Sequence, residues 1–272
     1  MSGMRREQSN SHSARCTRMS KASIESGRCV NVLILAGGQA GPNADDDGYP
    51  LCLAEINGAP LIQHLISLCE AIGTIRIVVA FAKTDIDKFH IDSAIEVLAP
   101  GAAIVSVEKY ARGAACTALL AAGYIDSDDE LLVVNGNELI DVDFRAVLDD
   151  FRGRQLDAGT VTFSSIHPRY SYVRLTDDGF VVEAAEKRPI SAHATAGFYW
   201  FARGSSFVQA AEEMIYKDAS VNGKFYICPV LNELVLQQAL VGVYPIKPGQ
   251  YRPLKTVRQI MQQESAERRG YQ

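Results

Sequence analysis

From residue 30 onward, short β-branched runs alternate with stretches whose apolar residues recur at helical spacing. That alternation is the pattern of a mostly parallel sheet covered by helices. The runs VNVLILA (30–36), TIRIVVAFA (74–82), AAIVSVE (102–108) and ELLVVNG (130–136) read as strands. Between the first two, PLIQHLISLCEAIG (60–73) places Leu61, His64, Leu65 and Leu68 on one helical face. Further helices are expected at 85–98, 112–124 and 143–152, the last capped by Asp143. The second half changes period. AGTVTFSSI, YSYVRLTDDGFVVEAAEKRPI and ATAGFYWFA alternate every two residues, and TDDG reads as a hairpin turn, so antiparallel strands are added here. Helices near 204–217 and 227–238 lead to the strand LVGVYPI and to a C-terminal helix from about residue 255.

With 272 residues and near-average apolar content, the chain fits one large α/β domain. We place that domain at 30–262, between a basic, disordered extension (1–29) and a short tail (263–272). Its apolar runs are far shorter than the roughly 20 residues a membrane-spanning helix needs, so no membrane span is expected. The six cysteines are scattered, without a CxxC pair or a histidine at zinc spacing. Neither a disulfide framework nor a structural metal follows, and a reducing cytoplasm is the simpler location. Charge is uneven: residues 1–29 carry six cations against two anions, which leaves the rest of the chain at −9 within an overall −5. So acidic a body argues against nucleic acid as a partner.

In an open α/β sheet, ligands gather at the carboxyl ends of the strands. LAGGQAG after the first strand and NGNE after the fourth therefore mark the site. Gly37, Gly38 and Gly41 let backbone N–H groups approach a phosphate or a base, or else simply make a tight turn.

Six segments in order, LILAGG, EINGAPLIQHLI, GAACTALLAAGYI, LLVVNGNELIDVDF, AEKRPISAHATAGFYWF and NGKFYICPVLNE, resemble those of bacterial sugar-phosphate nucleotidyltransferases. The nearest likeness is to the branch encoded with capsule and lipopolysaccharide genes. It runs from about residue 30 to about residue 260. The resemblance implies a three-layer, Rossmann-like nucleotide-diphospho-sugar transferase fold, with a mostly parallel mixed sheet and an added antiparallel sugar-binding part. It also implies the joining of a nucleoside triphosphate to a sugar 1-phosphate with release of pyrophosphate. Carried over residue by residue, it assigns Leu35, Ala36, Gly37, Gly38, Gly113, Ala114 and Asn137 to the nucleotide side. Glu186, Lys187 and Gly197 fall on the sugar-phosphate side, with Glu186 for a sugar hydroxyl, Lys187 for the phosphate and Gly197 leaving room for the sugar. Small residues at 113–115 equally suit a helix packed closely on the sheet.

The chain departs from the family pattern where charge matters most. After the first strand the family has A-G-G-x-G-x-R, then P-K-P-L; here the third glycine is Ala40, the arginine is Pro42 and the lysine is Leu51. At the fourth strand's end the family's Mg²⁺-binding aspartate is Asn137. An amide keeps the shape and loses the charge that a hard cation needs. A looser correspondence puts Pro253 near a further expected aspartate. Removing one such charge from a transfer site costs on the order of 10² to 10³ in rate, and Asp45–Asp47 add negative charge where a polyphosphate would lie.

The expectation is therefore a catalytically impaired member, a pseudoenzyme with no metal or other cofactor, that binds a sugar 1-phosphate, a nucleotide sugar or a protein partner in surface-polysaccharide metabolism. The alternative is an active transferase that recruits Lys83 or the basic tail, in which case Mg²⁺ would be its cofactor. A third reading, a glycosyltransferase using Asp141 and Asp143 as a D-x-D pair, competes with helix capping by Asp143. His167 before Pro168 reads as a turn.

Overall fold

The computed structural model describes residues 29–37, 50–108 and 111–254. The first strand, β1 (Val30–Leu35), is followed within the described residues by a short 3-10 turn, Leu51–Leu53, and the small hairpin β2 (Glu55–Ile56) and β3 (Ala59–Pro60). Helix α1 (Leu61–Glu70), strand β4 (Ile75–Ala82), helices α2 (Lys83–Phe89) and α3 (Ile91–Leu98), and strand β5 (Ala103–Val107) come next. Helices α4 (Ala114–Leu119) and α5 (Ala122–Ile125) precede β6 (Glu130–Asn135), β7 (Glu138–Ile140) and α6 (Phe144–Gly153). The antiparallel part holds β8 (Ala158–Ser164), β9 (Ser171–Leu175), β10 (Val181–Glu186) and β11 (His193–Phe201). Helices α7 (Gly204–Tyr216) and α8 (Val230–Leu236), then β12 (Val241–Ile246) and β13 (Tyr251–Pro253), complete the described chain.

The main sheet runs β10-β9-β11-β6-β1-β4-β5, with β8 joined to β11 and β12 to β8. Strands β6, β1, β4 and β5 are parallel; β11 enters antiparallel beside β6. The central strands are apolar on both faces because both faces are covered. Val32 and Ile34 of β1, with Leu132 and Val134 of β6, face the layer of α1, α3 and α6. Leu33, Leu131 and Val133 point the other way, onto α4, α5, α7 and α8. This is a three-layer, Rossmann-like α/β fold with a mixed, mostly parallel sheet.

Two expected helices are each divided. The 85–98 helix breaks at His90, whose φ of 51° is left-handed; it ends α2 and starts α3. Ile86 and Phe89 pack on the core before the break, and Ile91 and Ile95 are buried after it, a spacing that one continuous helix could not keep on one side. The 112–124 helix is interrupted between Leu119 and Ala122. The capping of α6 is as read: Asp143 Oδ1 accepts from the backbone N–H groups of Arg145 at 2.9 Å and Ala146 at 3.4 Å. The TDDG turn joins β9 to β10, with Gly179 at φ 83°. The expected helix from 255 and the extension up to residue 28 lie outside the described residues.

One polar group inside the sheet needs its partners. Glu130, 1% exposed, receives Arg152 Nη2 at 2.8 Å and Arg152 Nε at 3.0 Å, and its Oε2 also accepts from Trp200 Nε1 at 3.0 Å. These bonds pin α6 to β6 and β11 and spare the carboxylate an uncompensated burial. No helix among the described residues is long and apolar enough to cross a membrane.

Candidate functional site

The carboxyl ends of β1, β4 and β6 meet on one edge of the sheet because the three strands are parallel and in register. The chain stays paired just past their ends: Ala36 N–H donates to Ala80 O and Gly136 N–H to Leu35 O, both at 2.9 Å. Leu35, Ala36 and Gly37 are half-buried there, and Asn137 is exposed. Asn137's carbonyl is occupied by the N–H of Leu254 at 2.9 Å. Gly38, Pro42 and Asp45–Asp47 lie outside the described residues. Leu51 sits in the 3-10 turn and packs against the core. Mg²⁺, which the resemblance implies, wants carboxylate oxygens. The strand end offers an amide at 137, and among the described residues no three His, Cys, Asp or Glu side chains are placed to hold a metal ion. These residues do not fit the ion.

The sugar-phosphate candidates stand around the bend in β11. Its pairing with β8 shifts between Thr195 and Tyr199. In that bulge Gly197 has φ 60°, and a Cβ there would come within 2.1 Å of Glu138 Oε2 and 2.5 Å of Asn135 Nδ2. A side chain at 197 is thus excluded by Glu138 and Asn135 themselves. Glu138 Oε1 accepts from Asn135 Nδ2 at 3.1 Å, whereas Oε2 is buried without a hydrogen-bond partner of good geometry. Burial pushes the Glu138 carboxyl up to about 7; Asn135 and the nearby Tyr251 hydroxyl oppose that rise, and the neighbouring Glu186 adds to it.

Glu186 ends β10 and accepts from Ser171 Oγ. Burial raises its carboxyl, against the pull of Ser171 and Lys187. Lys187 is exposed, has a left-handed backbone at φ 55°, and donates from Nζ to the Tyr226 hydroxyl at 2.9 Å. Thr195 and Tyr199, on either side of the bulge, share a hydrogen bond of 2.8 Å. Cys228 lies near Glu186, and burial first, then that carboxylate, lifts its thiol to about 12. Cys228 is therefore a protonated core side chain.

Gly113 precedes α4 with φ 109°, and a Cβ there would lie 2.4 Å from Phe225 O. The contact is closed by Phe225 N–H donating to Arg112 O at 2.7 Å and Ala115 N–H to Phe225 O at 3.0 Å. Ala114, half-buried, opens α4. The structure therefore links two candidate groups that are far apart in sequence: Phe225 meets Gly113, and Tyr226 meets Lys187. Sequence reasoning missed Glu138, Ser171 and Tyr226. Glu138 was within the quoted NGNE, but nothing local marks which way it faces.

The remaining candidates resolve simply. Lys83 opens α2 beside the β1 end, exposed, 3.8 Å from Asp87. Asp141 pairs through its backbone with Gln250, and Asp143 is the α6 cap. His167 belongs to the turn before β9, accepting from Arg169 N–H at Nδ1, 3.2 Å away.

Residues 32–231 match the family model described as nucleotidyl transferase. Solved structures give the fold. A nucleoside-diphosphate-sugar pyrophosphorylase from Vibrio cholerae RC9 is 20% identical, with a TM-score of 0.66 over 83% of this chain and 96% of its own. The inositol-1-phosphate CTP transferase from T. maritima is 16% identical, with a TM-score of 0.66 over 85% and 91%. A UDP-glucose pyrophosphorylase complexed with UDP-glucose is 13% identical, with a TM-score of 0.69 over 89% and 99%. No curated protein sequence matches this chain.

Proposed function

Because this chain belongs to the nucleotidyl transferase family, we propose that it keeps the family's sugar-phosphate side and has lost the charges that transfer a nucleotide. It acts in nucleotide-sugar and surface-polysaccharide biosynthesis, in the cytoplasm, by binding a sugar 1-phosphate or nucleotide sugar and engaging a protein of that pathway. The observation that carries this reading is a contrast in charge along one sheet edge. Lys187 presents an exposed ammonium beside Glu186, while the positions of the family's lysine and aspartate hold a core-packed Leu51 and the neutral Asn137. Nucleotidyl transfer is largely positioning and stabilisation of developing charge. An edge that has exchanged a cation and a metal-binding carboxylate for neutral groups keeps recognition and loses rate. The similarity to pyrophosphorylases of sugar nucleotides supports the nucleotide-sugar part of this reading.

One observation favours a second reading, an active transferase using Lys83. A Cβ on Gly37 would lie 3.2 Å from Ala82 N, so the first loop leaves β1 directly beside the start of α2, where Lys83 stands. Product analysis separates the readings. The protein is incubated with each nucleoside triphosphate, a panel of glucose, galactose, mannose and glucosamine 1-phosphates, and Mg²⁺. Pyrophosphate at the level of a protein-free blank is the expected result. Pyrophosphate release that Lys83→Ala abolishes establishes the second reading, and sugar transfer from a nucleotide sugar would establish a glycosyltransferase.

A further inference from the structure

Three cations stand on β9 and just beyond β10. Two are ion-paired: Arg174 and Arg188 share the single carboxylate of Glu183. Lys187 differs. No ion pair ties it to a carboxylate among the described residues; its Nζ instead meets the Tyr226 hydroxyl at 2.9 Å and lies 4.8 Å from that ring's centroid. A phenol and a ring face hold an ammonium in place without cancelling its charge. The backbone adds to this, since Lys187 adopts φ 55° and its N–H donates to Tyr170 O at 3.0 Å. That backbone bond fixes where the lysine stem leaves the chain.

Tyr226 is itself held firmly. Its neighbours Phe225 and Ile227 are both buried, and Phe225 is clamped by backbone bonds to Arg112 and Ala115. The Arg112 guanidinium also lies over the Phe225 ring, 5.1 Å from its centroid. The hydroxyl that meets Lys187 thus projects from a fixed segment. A lysine stem has several rotatable bonds, and ordering them only when a ligand arrives weakens binding.

We propose that Tyr226 is a positioning residue that holds the Lys187 ammonium, still charged, for the phosphate of a sugar 1-phosphate. This rests on the sugar-phosphate reading above. The phenol oxygen accepts one N–H of Lys187 and leaves the other two for phosphate oxygens, and no covalent step is involved.

The test is an NMR titration of the full chain with the tightest-binding sugar 1-phosphate of the panel and, separately, with the parent sugar lacking phosphate. Tyr226→Phe keeps the ring and removes the hydroxyl. It should raise the Kd of the sugar phosphate about three- to tenfold, the loss of one hydrogen bond, and leave the Kd of the parent sugar unchanged. Lys187→Ala should raise the phosphate Kd further, and adding Tyr226→Phe to it should change nothing more. An unchanged phosphate Kd in Tyr226→Phe overturns the proposal, as does an equal loss for phosphorylated and unphosphorylated sugar. If the wild-type chain binds no sugar phosphate, the underlying reading fails and this proposal with it.

Discussion

Asn137 and Glu138 are neighbours in sequence and meet opposite surroundings in the fold. Asn137 is exposed at the strand edge, while the Glu138 carboxyl turns inward against Gly197, Asn135 and Glu186. The first was readable from a motif, because its neutrality shows in the letter itself. The second was not, because its burial is produced by the bulge of β11 and by β13 pairing with β7, contacts with residues far along the chain. Glu138 has a measurable consequence. Its carboxyl is raised from 4.5 to about 7 in the folded protein, so between those pH values the folded state keeps a proton that the unfolded state has released. Its contribution is fully present below pH 4.5 and is lost as pH rises toward and through 7. Glu138→Gln should therefore gain stability relative to wild type as pH rises from 5 to 8, by on the order of 1–3 kcal/mol. Thermal melts of both proteins across that range check it, and a constant difference would contradict it.

Among elements, the strands were the most legible, since β-branched runs with two covered faces leave few other ways to be buried. Strands β1, β4, β5 and β6 lie within one or two residues of the expected spans. The helices were less so. The break at His90 is imposed by packing of Ile91 and Ile95, not by a proline or glycine, and no local signal announces it. The crossing of α6 over β6 and β11 was also invisible in sequence, because Glu130, Arg152 and Trp200 converge from three separate segments. Removing the cation leaves Glu130 buried at 1% exposure. Arg152→Ala should cost about 2–4 kcal/mol, read by chemical denaturation. Asp149→Ala, which removes only the exposed partner of the same arginine at 2.9 Å, should cost about 0.5 kcal/mol or less. Equal effects would mean that the buried bonds do not hold the crossing.

At the scale of the whole molecule, the 225–226 segment touches both groups of candidate residues, at Gly113 and at Lys187. The family fold was legible because the spacing of six blocks records the topology. The partners of each site residue were not, because hydrogen bonds such as Ser171 to Glu186 and Lys187 to Tyr226 join residues whose proximity only the folded sheet creates. A nucleoside triphosphate carries about four negative charges, and where the family's lysine and aspartate are replaced by Leu51 and Asn137 less of its desolvation is offset. On the proposed reading a sugar 1-phosphate needs far less and would meet Lys187. The most direct measurement is calorimetric titration of the wild-type chain with the four nucleoside triphosphates and the panel of sugar 1-phosphates, with and without Mg²⁺, repeated on Lys187→Ala. A sugar 1-phosphate should bind more tightly than any triphosphate, Mg²⁺ should not reverse the order, and Lys187→Ala should remove the preference. A triphosphate bound at micromolar affinity with no sugar phosphate bound would contradict this reading.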